Sequence, residues 1–150
     1  MEPALNRTAA SATLHCLTGC AIGEVVGMVI TTALSWTAAP SIVLSIVLAF
    51  GFGYSLSMVP LLRHGLTLQK ALRLALAADT VSIATMELFD NAFVLVIPGA
   101  INAGLTTALF WISLLLSLIV AFAAAFPVNR YLISHGKGHA VMHGHHQHKR

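Results

Sequence analysis

The chain has 150 residues, 57% of them apolar and only 9% charged, with a mean hydropathy of +0.85 and a formal net charge of +3. Such a chain cannot cover itself with a normal wetted surface, so a soluble globular protein is excluded and an integral membrane protein remains. The modest basic excess then records topology and contact with anionic lipid, and no nucleic-acid partner is implied.

Crossing a hydrocarbon core of about 30 Å takes roughly 20 apolar residues. The sequence offers four such runs, at residues 13–34, 41–62, 71–98 and 102–126. Prolines punctuate them: Pro40 and Pro60 bracket the second, Pro98 closes the third and Pro127 follows the fourth. The expected fold is all-α, a polytopic membrane protein of four transmembrane helices. Residues 1–134 form one domain and residues 135–150 a His-rich flexible tail. A cleaved signal peptide is not expected, because the start lacks a basic n-region and Glu24 would interrupt the apolar one.

The first run contains "HCLTGCAIGEVVGM". At about 100° per residue, Cys16, Cys20, Glu24 and Met28 form one stripe, with Thr31 on the same face. Gly19, Gly23 and Gly27 repeat at the same interval beside it, and such a ridge lets another helix approach closely in lipid. Cysteine and methionine in a membrane helix are commonly small or adaptable packing residues. Glu24 shifts the balance, because an intramembrane carboxyl is costly and is read first as functional. Thiols and a thioether on the same face then suggest a soft metal ion, with His15 as an adjacent nitrogen ligand.

The second run carries no Asp, Glu, Lys or Arg, and Arg63 follows it. The third is the least hydrophobic, yet its ending "NAFVLVIPG" is too apolar for an interfacial helix. Asp79, Ser82, Met86, Glu87 and Asp90 gather toward one side of it. Counting depth from the ends of the apolar runs at about 1.5 Å per residue sets Cys20 beside Asp79, Glu24 beside Ser82 and Met28 beside Met86. Asp90 would then reach the outer headgroups. Beyond the fourth run, His139, His143, His145, His146 and His148 are weak tail ligands for copper, zinc or nickel.

Arg7 precedes the first run, Arg63, Lys70 and Arg73 lie between the second and third, and Arg130, Lys137, Lys149 and Arg150 follow the fourth. The other two connections carry no Lys or Arg, so both termini and the middle loop are expected in the cytoplasm. Cys16 and Cys20 fall in the cytoplasmic half, where thiols stay reduced and free to act as ligands.

The segments "HCLTGCAIGEVVGMVI", "LRLALAADTVSIATMELFDNA" with "LVIPGA", and "AFPVNRYLISHGKGHAVMH" together resemble a family of small bacterial four-helix membrane proteins known only as a domain of unknown function. The resemblance runs from about His15 to His143. It implies a four-helix bundle in the bacterial inner membrane and supplies no activity.

No Cys-x2-Cys, Walker loop, Gly-x-Ser-x-Gly or His-Glu-x2-His motif occurs, so no enzyme is expected. The expected function is transport or handling of a soft transition-metal ion, copper first, then zinc or mercury. Cys16, Cys20, Met28, Met86 and His15 would be ligands, and Glu24, Asp79 and Glu87 would couple charge or protons. Four helices make a thin pore wall, so a homo-oligomer packed along the glycine ridge is expected. The competing expectation is a structural or assembly subunit of a larger membrane complex, its polar stripe serving as interhelical glue.

Overall fold

A computed structural model describes residues 2–135. The tail ligands expected at His139, His143, His145, His146 and His148 lie outside the described residues. The architecture is all-α: α1 Glu2–Ala33, α2 Ala38–Arg63, α3 Leu68–Val96 and α4 Ala108–Ser134, with a short 3-10 turn at Ala100–Asn102 before α4.

Local chemistry explains the turns. After α2, His64 caps the helix and Gly65 takes the left-handed conformation at φ +84°, which a side chain would resist. Thr67 then starts α3 by accepting the Lys70 N–H, and Thr107 starts α4 by accepting that of Phe110. Pro98 and Gly99, the latter at φ +79°, separate α3 from the 3-10 turn. These short links make successive helices antiparallel. Around the bundle α1 packs on α2, α2 on α3, α3 on α4 and α4 on α1, while α1 and α3 also meet across one diagonal.

The glycine ridge is spent inside the chain. A Cβ on Gly19 would stand 2.6 Å from Gly53 Cα, and one on Gly23 would stand 2.5 Å from Ala49 Cα. One on Gly27 would reach Ser45. Small residues of α2 thus receive the small residues of α1, and two backbones meet where lipid offers no hydrophobic drive but dispersion rewards close approach. The expectation that this ridge joins two copies is corrected, because α2 already covers it.

Two further expectations change. Pro60 and Pro127 lie inside α2 and α4 rather than at their ends, as proline can in an apolar bundle where neighbouring helices hold the backbone. Three helices, α1, α2 and α4, are long and apolar enough to cross a membrane, where four were expected. The exception is α3, and its two faces explain why. Ala71, Ala75, Ala78, Asp79, Ser82, Ile83, Met86, Glu87 and Asp90 are buried, whereas Leu72, Leu76, Val81, Leu88, Phe89 and Leu95 point outward. Averaging over such a helix hides an apolar exterior behind an acidic interior.

Candidate polar column and cavity

Polar side chains follow the α1–α3 diagonal through the bundle. Nearest the chain termini, Asn129 of α4 is 1% exposed and donates through Nδ2 to Thr13 Oγ1 and to Ser82 Oγ, each at 2.9 Å. Thr13 passes its own hydrogen to Ala9 O at 2.7 Å. One amide therefore ties three helices together, and beyond it toward the termini Ala9, Ala71 and Ala75 are fully buried. Outside that alanine layer, Arg130 pairs with Glu2 and donates to Asn6, holding the start of α1 against the end of α4.

Above the clamp the column continues as α1–α3 pairs. Cys16 Sγ donates to Asp79 Oδ1 at 3.5 Å, with Ser82 also in hydrogen-bonding contact with the thiol. One turn higher, Cys20 is in hydrogen-bonding contact with Glu87. Asn91 Nδ2 steadies that carboxyl at 3.4 Å while also donating to Glu87 O. Another turn higher, the carboxyls of Glu24 and Asp90 are in contact, with Glu87 close by. Both thiols are free of any disulfide and almost fully buried, and Met86 and Ile83 wall them in.

The column ends in a partly open cavity of about 550 Å³ between the α1–α2 turn and the loop before α4. Glu24 and Asp90 lie on its inner wall with Met28, Asn91, Ser45 and Ser113. No donor reaches Glu24 Oε1, Glu87 Oε1 or Asp90 Oδ1, although each of these atoms is buried. A buried polar atom without a partner is unusual enough to require a ligand or a role.

The expected residues are thus separated into groups. Cys16, Cys20 and Met86 share one buried cluster, and Asp79 and Glu87 face the thiols. Met28 stands apart in the cavity, away from Met86, and His15 is half-buried on α1 beside Cys16. The depth matching is corrected: Asp79 meets Cys16 rather than Cys20, and Glu24 meets Asp90 rather than Ser82. The apolar runs misled because residues before Thr13 are also helical and belong to the bundle, so α1 and α3 start flush at Glu2 and Leu68. Asp90 is buried between the helices, at 5% exposure. Asn129 escaped the sequence reading because the fourth run was ended at Pro127; an amide one turn from an apolar run was the available signal.

Among the described residues no three His, Cys, Asp or Glu side chains converge as a closed metal cage would require. What the diagonal offers is a series of two-residue stations one turn apart.

A family model described as a domain of unknown function (DUF4396) matches residues 5–138, and the chain belongs to that family. No curated protein and no solved structure matches it.

Proposed function

For a member of a family without a described activity, we propose transport or handling of a soft transition-metal ion, copper first, within or across the bacterial inner membrane. All four helices cross the bilayer in this reading, α3 included, because its outward face is leucine, valine and phenylalanine and its acids turn inward. Both termini and the α2–α3 turn lie in the cytoplasm. Arg7, Arg63, Lys70, Arg73 and Arg130 all gather at that end of the bundle, and the opposite turns carry no Lys or Arg.

The observation that carries the reading is the stacking of Cys16–Asp79 beneath Cys20–Glu87 on a buried diagonal. The thiols are the soft ligands, and they must lose protons to bind. Asp79 and Glu87 are placed to take up that charge change. Stations of two ligands hold an ion more loosely than a closed four-ligand cage, which suits passage, since a conducted ion has to leave each site it enters.

The test uses the full chain with the five tail histidines changed to Asn, so that the tail does not mask the bundle. Cu(I) should bind this protein and protect both thiols from a membrane-permeant maleimide, and Cys16→Ser with Cys20→Ser should abolish both effects. Equal binding without the thiols would overturn the reading.

The competing reading is an assembly subunit whose polar side chains serve as interhelical glue, as the Asn129 clamp does among α1, α3 and α4 of this chain. A subunit should copurify with a fixed partner, and its deletion should leave cellular metal content unchanged.

A further inference from the structure

The cavity holds chemistry that the thiol stations do not use. Its only titratable lining residues are Glu24 and Asp90, and no Lys, Arg or His lines it among the described residues. The two carboxyls touch each other, yet Glu24 Oε1 and Asp90 Oδ1 receive no donor, and Asp90 is 95% buried by its 5% exposure. Two carboxylates cannot rest against each other at membrane depth without something positive between them. A shared proton satisfies the pair in the absence of any other cation. With water taking about 30 Å³ per molecule, the 550 Å³ space also admits an ion together with part of its water shell.

We propose that the Glu24–Asp90 pair is an oxygen-ligand cation site at the inner wall of the cavity, which exchanges its shared proton for a metal cation arriving from the loop end. In the exchange the O–H bond of the protonated carboxyl breaks, its proton passes to cavity water, and the cation takes its place between two carboxylates. No electron is transferred. Oxygen ligands hold a borderline or soft cation weakly, as a first station should, and the thiols of Cys20 and Cys16 lie one and two turns further in. The titratable groups facing the pair are Glu87 of α3 and Cys20 of α1, while α2 and α4 bring the hydroxyls of Ser45 and Ser113. The inference rests on the reading above for the direction of travel, and it stands or falls without the thiols.

Two measurements test it. In the full chain with tail histidines changed to Asn and with Cys16→Ser and Cys20→Ser, adding Zn(II) in weakly buffered detergent solution should release one proton per ion bound. Further change of Glu24→Gln with Asp90→Asn should abolish that release. Proton release unaffected by the second pair of substitutions overturns the proposal, whatever the thiols do with Cu(I). Against misfolding of the quadruple variant, the chain with its carboxyls intact is treated with dicyclohexylcarbodiimide, an apolar reagent that modifies protonated carboxyls. Mass spectrometry should find the adduct on Glu24 or Asp90, suppressed by Zn(II). Absence of adduct on both, or an adduct indifferent to Zn(II), refutes the shared exchangeable proton.

Discussion

The two ends of the bundle are built from opposite materials. At the terminus end the interior is filled by buried alanines, one amide and two hydroxyls, and the positive charges stay outside it. At the loop end the interior is acidic, wide enough for an ion with water, and bordered by turns without basic residues. Side-chain size and saturation set this end: Asn129 spends both amide hydrogens, and Ala9, Ala71 and Ala75 beyond it are fully buried. The cavity is lined in part by the longer loop between α3 and α4, which runs from Ile97 to Thr107, whereas α2 and α3 are joined by a tight glycine turn. A polar column packed with small residues at one end and meeting a partly open cavity at the other is a one-sided arrangement.

The largest effect is expected where the two ends depend on the same helix contact. Gly23→Leu would drive a side chain into the α2 backbone at Ala49, which cannot yield as a flexible side chain would. Overpacking at about 3 kcal/mol or more should separate α1 from α2 along their length and erase the distinction between ends. Reversible unfolding in bicelles, read by tryptophan fluorescence, should show the loss, and a near-native stability would mean that α1 and α2 do not pack backbone to backbone.

A smaller and local effect is expected at the closed end. Asn129→Leu removes two interhelical hydrogen bonds, each worth about 0.6 kcal/mol and at most about 1.7 in a membrane interior. The sum, about 1 to 3 kcal/mol, should fall on the terminus end alone. In a cysteine-free background (Cys16 and Cys20 changed to Ser), restoring Cys16 alone should give a thiol, next inward from the clamp, that is unreactive toward an impermeant maleimide from either side. It should gain reactivity when Asn129→Leu is added. A reactive Cys16 with Asn129 intact would show that the clamp does not seal.

The open end should tolerate the most. Ser113 lines the cavity and its hydroxyl is not part of the Asn129 clamp, so Ser113→Ala should change stability by less than about 0.5 kcal/mol. In the same cysteine-free background, Ser41→Cys and Met28→Cys should react with the impermeant reagent from the face opposite the termini. Reaction from the terminus face would invert the proposed orientation. Reporters fused near Gly65 and after Lys137 should read cytoplasmic for the same reason.

Much of this was legible from residues alone. Hydrophobic run length indicated four helices. The 3.6-residue period placed Cys16, Cys20 and Glu24 on one face and the glycines on its flank. Asp79 and Glu87 stood out because a carboxyl in an apolar run is expensive. These properties are local: each depends on a residue and its neighbours within a few turns.

Three matters were decided only by the tertiary structure. The glycine ridge could have met a second copy, but α2 carries small residues in matching register, and an intramolecular contact forms at far higher effective concentration. Depth could not be counted from hydropathy, because α1 begins in the polar residues before Thr13, and the flush start of α1 and α3 is what brings Glu24 to Asp90. Asn129 acquires its role only when α4 returns to lie beside Thr13 and Ser82, residues far from it along the chain. Composition and periodicity fix which face of a helix is polar; which polar face it meets, and at what height, is set by where the turns start each helix and by which backbones can approach.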